Sequence, residues 1–96
     1  MGRTLYKATM IAGGVDRAAG PAAAKDIEAE FREHRPWHEQ VSCTFADGVM
    51  TLVAFNDYDE SGLALSDEFS DCLSAYLKPE EIGDDGAFEV TSVETI

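Results

Sequence analysis

Val49-Met50-Thr51-Leu52-Val53-Ala54-Phe55, then Asn56-Asp57-Tyr58-Asp59-Glu60-Ser61-Gly62, then Leu63 through Leu77: these three consecutive stretches decide how the chain folds. The first is a short apolar run rich in residues that suit a pleated strand. The second is an acidic turn. The third places Leu65, Phe69, Cys72, Leu73 and Tyr76 at i, i+4, i+7, i+8 and i+11, one full apolar stripe of a helix. Ser66 is the predicted N-cap, with Asp67 and Glu68 complementing the positive helix end. Lys78 stands at the far end and Pro79 forbids continuation. Asp67, Asp71 and Ser74 fall on the solvent side of that helix.

Working backwards, Asp47-Gly48 is the strongest local signal in the chain, because Asp-Gly between apolar runs marks a tight hairpin. The strand before it is predicted over Trp37–Phe45. A two-residue turn sets Ala46 against Val49, Phe45 against Met50, Cys43 against Leu52 and Val41 against Ala54. The last three pairs are assigned to the core. Ser42, Thr44, Thr51, Val53 and Phe55 form the other face, where Val53 and Phe55 suggest a dimer or docking contact. Further back, Pro21 suits the first position of a helix. Ala23, Ala24, Ile27, Phe31 and His34 share its inner face, with Lys25, Glu28, Arg32 and Arg35 toward solvent. Pro36 ends that helix by restricting the residue before it. Leu5 to Ile11 alternates as a strand and Gly13-Gly14 closes it.

Working forwards, Asp84-Asp85-Gly86 predicts a turn and Ala87 to Ile96 a last strand, with Phe88 and Val90 inward. The order strand, helix, strand, strand, helix, strand matches the ferredoxin-like βαββαβ motif. It implies an α+β fold: four antiparallel strands, both helices on one face, the other face open. At 96 residues the chain is read as one domain, residues 1–96. No secretory signal or membrane span is visible, so a cytoplasmic location is expected. Cys43 and Cys72 lie at apolar positions without a Cys-x-x-Cys motif and are expected to be reduced core residues.

Charge narrows the function classes. The net charge is −12, and it is lopsided. Residues 1–48 hold six Lys/Arg and seven Asp/Glu; residues 49–96 hold Lys78 against twelve acids. Such a field repels phosphate backbones and anionic lipid and draws in cationic surfaces. The ferredoxin-like topology resembles that of RNA-recognition domains, but the aromatic-and-basic pattern of their open sheet is missing here. Direct nucleic-acid binding is therefore not expected. Nor is enzymatic activity: Gly13-Gly14 lacks a phosphate-loop fingerprint, no serine sits in an elbow motif, and the acid pairs occupy solvated turns.

Two constellations carry ligand chemistry. Asp57, Asp59 and Ser61 supply oxygens at alternate positions, Gly62 supplies a bend, Leu63 a carbonyl, and Glu68 falls twelfth. This segment resembles an EF-hand calcium loop, which implies calcium at Asp57, Asp59, Ser61 and Glu68. It departs from that pattern at Ala64 and Leu65 and in having a strand before it. No other cofactor is expected. His34 and His38 are four apart, but Pro36 breaks the helix that would align them for a metal, leaving capping and surface roles.

The function expected from charge and size is a non-enzymatic binding module that docks a basic protein surface. Phage anti-CRISPR and anti-restriction proteins and toxin-immunity proteins work in this way, though no residue motif ties the chain to any of them. Asp57, Asp59, Glu60, Asp67, Asp71, Asp84 and Asp85 are the expected contact residues. The alternatives are a housekeeping domain of a salt-adapted proteome and a weak calcium-binding protein.

Overall fold

A computed structural model describes residues 4–82 and 88–96. Its elements are β1 (Tyr6–Ala12), α1 (Gly20–His34), β2 (Glu39–Ala46), β3 (Val49–Asn56), α2 (Leu63–Tyr76), a single 3-10 turn over Pro79–Glu81, and β4 (Phe88–Thr95). The strands form one sheet in the order β2-β3-β1-β4, with every neighbouring pair antiparallel. This is the expected ferredoxin-like βαββαβ arrangement. The turn predicted at Asp84-Asp85-Gly86 lies outside the described residues. No helix among the described residues is long and apolar enough to cross a membrane.

One hydrophobic core explains the layering. Ala8, Met10 and Ala12 of β1 and Met50, Leu52 and Ala54 of β3 alternate into it, joined by Val41 and Cys43 of β2. Ala23, Ala24, Ile27 and Phe31 of α1 and Leu65, Phe69, Cys72 and Leu73 of α2 meet them. Both helices therefore cover one sheet face. The opposite parity of the central strands, including Thr9, Ile11, Thr51, Val53 and Phe55, lines the open face and is only partly buried. Each large apolar side chain taken fully out of water contributes about 1.5–3 kcal/mol.

The hairpin forms in the predicted register: Ala46 pairs with Val49, Phe45 with Met50 and Cys43 with Leu52. Asp47 and Gly48 have φ of 51° and 78°, the left-handed values that a type I′ turn requires. The register then shifts between Glu39 and Ser42, where Gln40 has a φ of 49°. A bulge inserts a residue and reverses which face the chain presents beyond it. Val41 and Cys43 point inward, but the next inward residue is His38, not Glu39. A second bulge lies opposite Thr9 and Met10, around Thr91, whose hydroxyl donates to the Thr9 carbonyl at 3.1 Å. Because of it Val90 and Val93, three apart, both pack on the core. Phe88, expected inward, is 43 % exposed, with its ring 5.9 Å from Phe69.

Several local expectations are corrected. Helix α2 begins at Leu63, three residues before Ser66, so Ser66 is not its cap. His34 is exposed at the end of α1, since the helix stops there and its side chain lies past the edge of the core. Glu28 does not simply face solvent: its carboxylate accepts from the Cys43 backbone N–H at 2.9 Å and pairs with Arg32 at 3.4 Å. Arg32 in turn donates to the Val41 carbonyl at 3.2 Å, tying α1 to β2. Tyr76, placed on the apolar stripe, is 39 % exposed and donates its hydroxyl to Glu30 at 3.2 Å.

Candidate functional site

The end of α1, the start of β2, the end of β3 and the start of α2 converge on the buried His38. Its side chain is inaccessible to solvent. Its Nε2 meets the Glu68 carboxylate of α2. Its Nδ1 meets the amide nitrogen of Asn56, also fully buried, at 3.2 Å. The Asn56 carbonyl oxygen is already fixed as an acceptor, from the backbone N–H of Tyr58 at 3.2 Å and of Asp59 at 2.7 Å. Asn56 must therefore donate its amide N–H to His38 Nδ1. The hydrogen-bond network thus assigns His38 the tautomer with its proton on Nε2, donated to Glu68.

Asp59 continues the chain of contacts. It is 5 % exposed, and its two oxygens accept from the backbone N–H groups of Ala64 at 3.2 Å and Leu65 at 3.0 Å. These are amides of the first turn of α2, which no intrahelical carbonyl can reach. The N-cap residue itself is Gly62, at φ 78°, with no side chain to offer. Asp59 supplies the capping oxygens from outside the helix and sets its negative charge at the positive helix end.

Arginine and aromatic groups close the cluster. Arg35 Nη1 lies 3.5 Å from Glu68, its Nε 3.9 Å from Glu30, and its guanidinium 5.6 Å from the Phe31 ring centroid. Trp37 Nε1 donates to Glu68 at 3.0 Å. Glu68 thereby serves Arg35, Trp37 and His38 together. The ring centroids of Phe31, Trp37 and Tyr58 lie 5.5, 6.0 and 6.3 Å from that of His38. The Tyr58 hydroxyl is held above the ordinary tyrosine range by desolvation, and further by the carboxylates of Glu68, Asp59 and Asp57.

The expected site residues divide. Asp57, Glu60, Asp67 and Asp71 are exposed, as is Ser61. Asp67 and Asp71 stand one turn apart on α2, whose charged residues are Asp67, Glu68 and Asp71 with no Lys or Arg. Among the described residues Glu60, Asp67 and Asp71 enter no ion pair. Asp59 is not a surface contact residue: it is buried as a helix cap. Glu68 is drawn into the His38 cluster. Asp84 and Asp85 lie outside the described residues. Asp59 and Glu68, two of the four expected calcium ligands, are thus engaged with backbone amides and with the His38 cluster. Among the described residues no three His, Cys, Asp or Glu side chains come together to hold a metal ion.

Sequence reasoning misses His38 and Asn56. The bulge hides the parity of His38, and Asn56 at the start of a turn is indistinguishable from an ordinary turn residue. The spacing Asn56-x-x-Asp59 before a helix is the one available signal, since Asx side chains bond backbone two or three residues on. The chain matches no protein-family model and no curated protein.

Proposed function

We propose that this protein is a non-enzymatic binding module whose acidic α2 face docks a basic surface of a partner protein, of the kind that otherwise grips nucleic acid. The observation that carries this reading is the pair Asp67 and Asp71: exposed, one turn apart, on a helix without a base, and free of ion pairs among the described residues. Acids that cap helices or hold clusters explain themselves structurally; these two do not. Carboxylates left in this state strengthen a long-range field that accelerates association with a cationic surface. A partner held in this way cannot present the same surface to a phosphate backbone.

Calorimetric titration with an oligolysine peptide at rising KCl tests this. Affinity falls steeply with salt, and Asp67→Lys with Asp71→Lys weakens it further at every concentration. Binding that the double variant leaves unchanged overturns the proposal. So does a fold that melts at low KCl, recovers at high KCl and binds no peptide, which is the behaviour of a salt-adapted domain.

A further inference from the structure

Two large aromatic side chains stand half in water beside the buried cluster: Trp37 is 46 % exposed and Tyr58 is 50 % exposed. Neither hangs loose. Trp37 is held by its hydrogen bond to Glu68, and the Tyr58 backbone by its bond to Asn56. Both rings lie against the same imidazole, with centroids 6.0 and 6.3 Å from His38. They flank that imidazole with about half of each residue open to water, and a cation that comes within about 6 Å of either ring centroid is attracted by its face. The tethered Trp37 ring loses little freedom on binding, and Trp and Tyr are enriched among residues that dominate interface energies.

The occupant's chemistry follows from the surroundings. Glu68 and Asp59 lie close to both the Tyr58 hydroxyl and the cluster, so an anion is disfavoured there. The molecule also contains an internal copy of the favoured arrangement: Arg35 lies over the Phe31 ring while pairing with the same Glu68. We propose that Trp37 and Tyr58 anchor the partner interface by receiving an arginine side chain from the partner's basic surface, an inference that rests on the acidic docking function above. A guanidinium is planar and weakly hydrated and stacks on aromatic faces, whereas an ammonium keeps its water. The charge on α2 steers the approach, and the ring pair slows departure.

Trp37 is the single tryptophan, so its emission reports on this niche directly. An oligoarginine peptide and an oligolysine peptide of equal length are titrated against the full chain, by Trp37 emission and by calorimetry. Oligoarginine binds more tightly and shifts the emission saturably. Tyr58→Ala weakens it about 2- to 30-fold, the range of a cation–π contact. Tyr58→Phe, which keeps the ring, restores the affinity, and circular dichroism confirms that both variants are folded. If oligoarginine binds no better than oligolysine, or Trp37 emission stays unmoved while calorimetry reports binding lost on Asp67→Lys with Asp71→Lys, the anchor is overturned and the acidic face stands. If neither peptide binds, both fall.

Discussion

His38 has one arrangement of protons that satisfies all of its neighbours, and Asn56 enforces it. Replacing His38 with Ala leaves the Asn56 amide and the Glu68 carboxylate short of a buried partner and opens a cavity. The cost is about 2–4 kcal/mol, read as a lower midpoint in urea. Long-range nitrogen–proton spectra should show His38 protonated at Nε2 and bare at Nδ1; the opposite tautomer would mean that the Asn56 amide is reversed. Asp59→Ala removes two capping bonds from α2 and should cost about 1–2 kcal/mol by the same measurement. Cys43 offers a pH test. Burial, with Glu28 and Cys72 adding to it, pushes its thiol up to about 12 from an ordinary value of 9.0. The folded state thus holds this proton more tightly than the unfolded chain. That contribution to stability is complete below pH 9 and is lost as pH rises from there toward 12. Native Cys43 should resist alkylation at mildly alkaline pH and react once the chain is unfolded in urea.

At the scale of elements, what could be foreseen depended on whether the deciding contacts were local. The Asp47-Gly48 hairpin was legible because two adjacent residues set both its turn and its register. The inner face of α1 was legible from Ala23, Ala24, Ile27 and Phe31, whose spacing alone defines a stripe. The start of α2 was not. Ser66 has the side chain of a cap, but Asp59 competes for the role across a loop and wins, because folding the loop back brings two oxygens to two orphan amides. The parity of His38 and of Val93 was equally hidden, since bulges leave no trace in an alternating pattern. Gly62 is where this loop geometry can be probed. Its φ is 78°, and a Cβ there would lie 2.9 Å from Val90 Cγ1. Gly62→Ala should therefore cost about 1–2 kcal/mol from the backbone alone, and more if β4 must move. A thermal midpoint unchanged by this substitution would show that the loop can rearrange freely.

Over the whole molecule, the acids fall into those that hold the fold and those that do not. Glu28, Asp59 and Glu68 each bind backbone or side-chain donors. Asp67 and Asp71 enter no ion pair among the described residues and add to a net charge of −12. Reversing this pair should leave the melting temperature equal or slightly higher, because self-repulsion is relieved, while the affinity for basic peptide drops. A melting temperature several degrees lower would instead give Asp67 or Asp71 a structural duty. The two bulges have an effect at this scale as well. Both interrupt pairing with an outermost strand, β2 or β4, and those strands carry Glu39, Glu89 and Glu94. A kinked, negatively charged border is a poor template for another chain's backbone, so the irregularities that re-aim His38 and Val93 also guard a crowded solution of this protein against fibril growth.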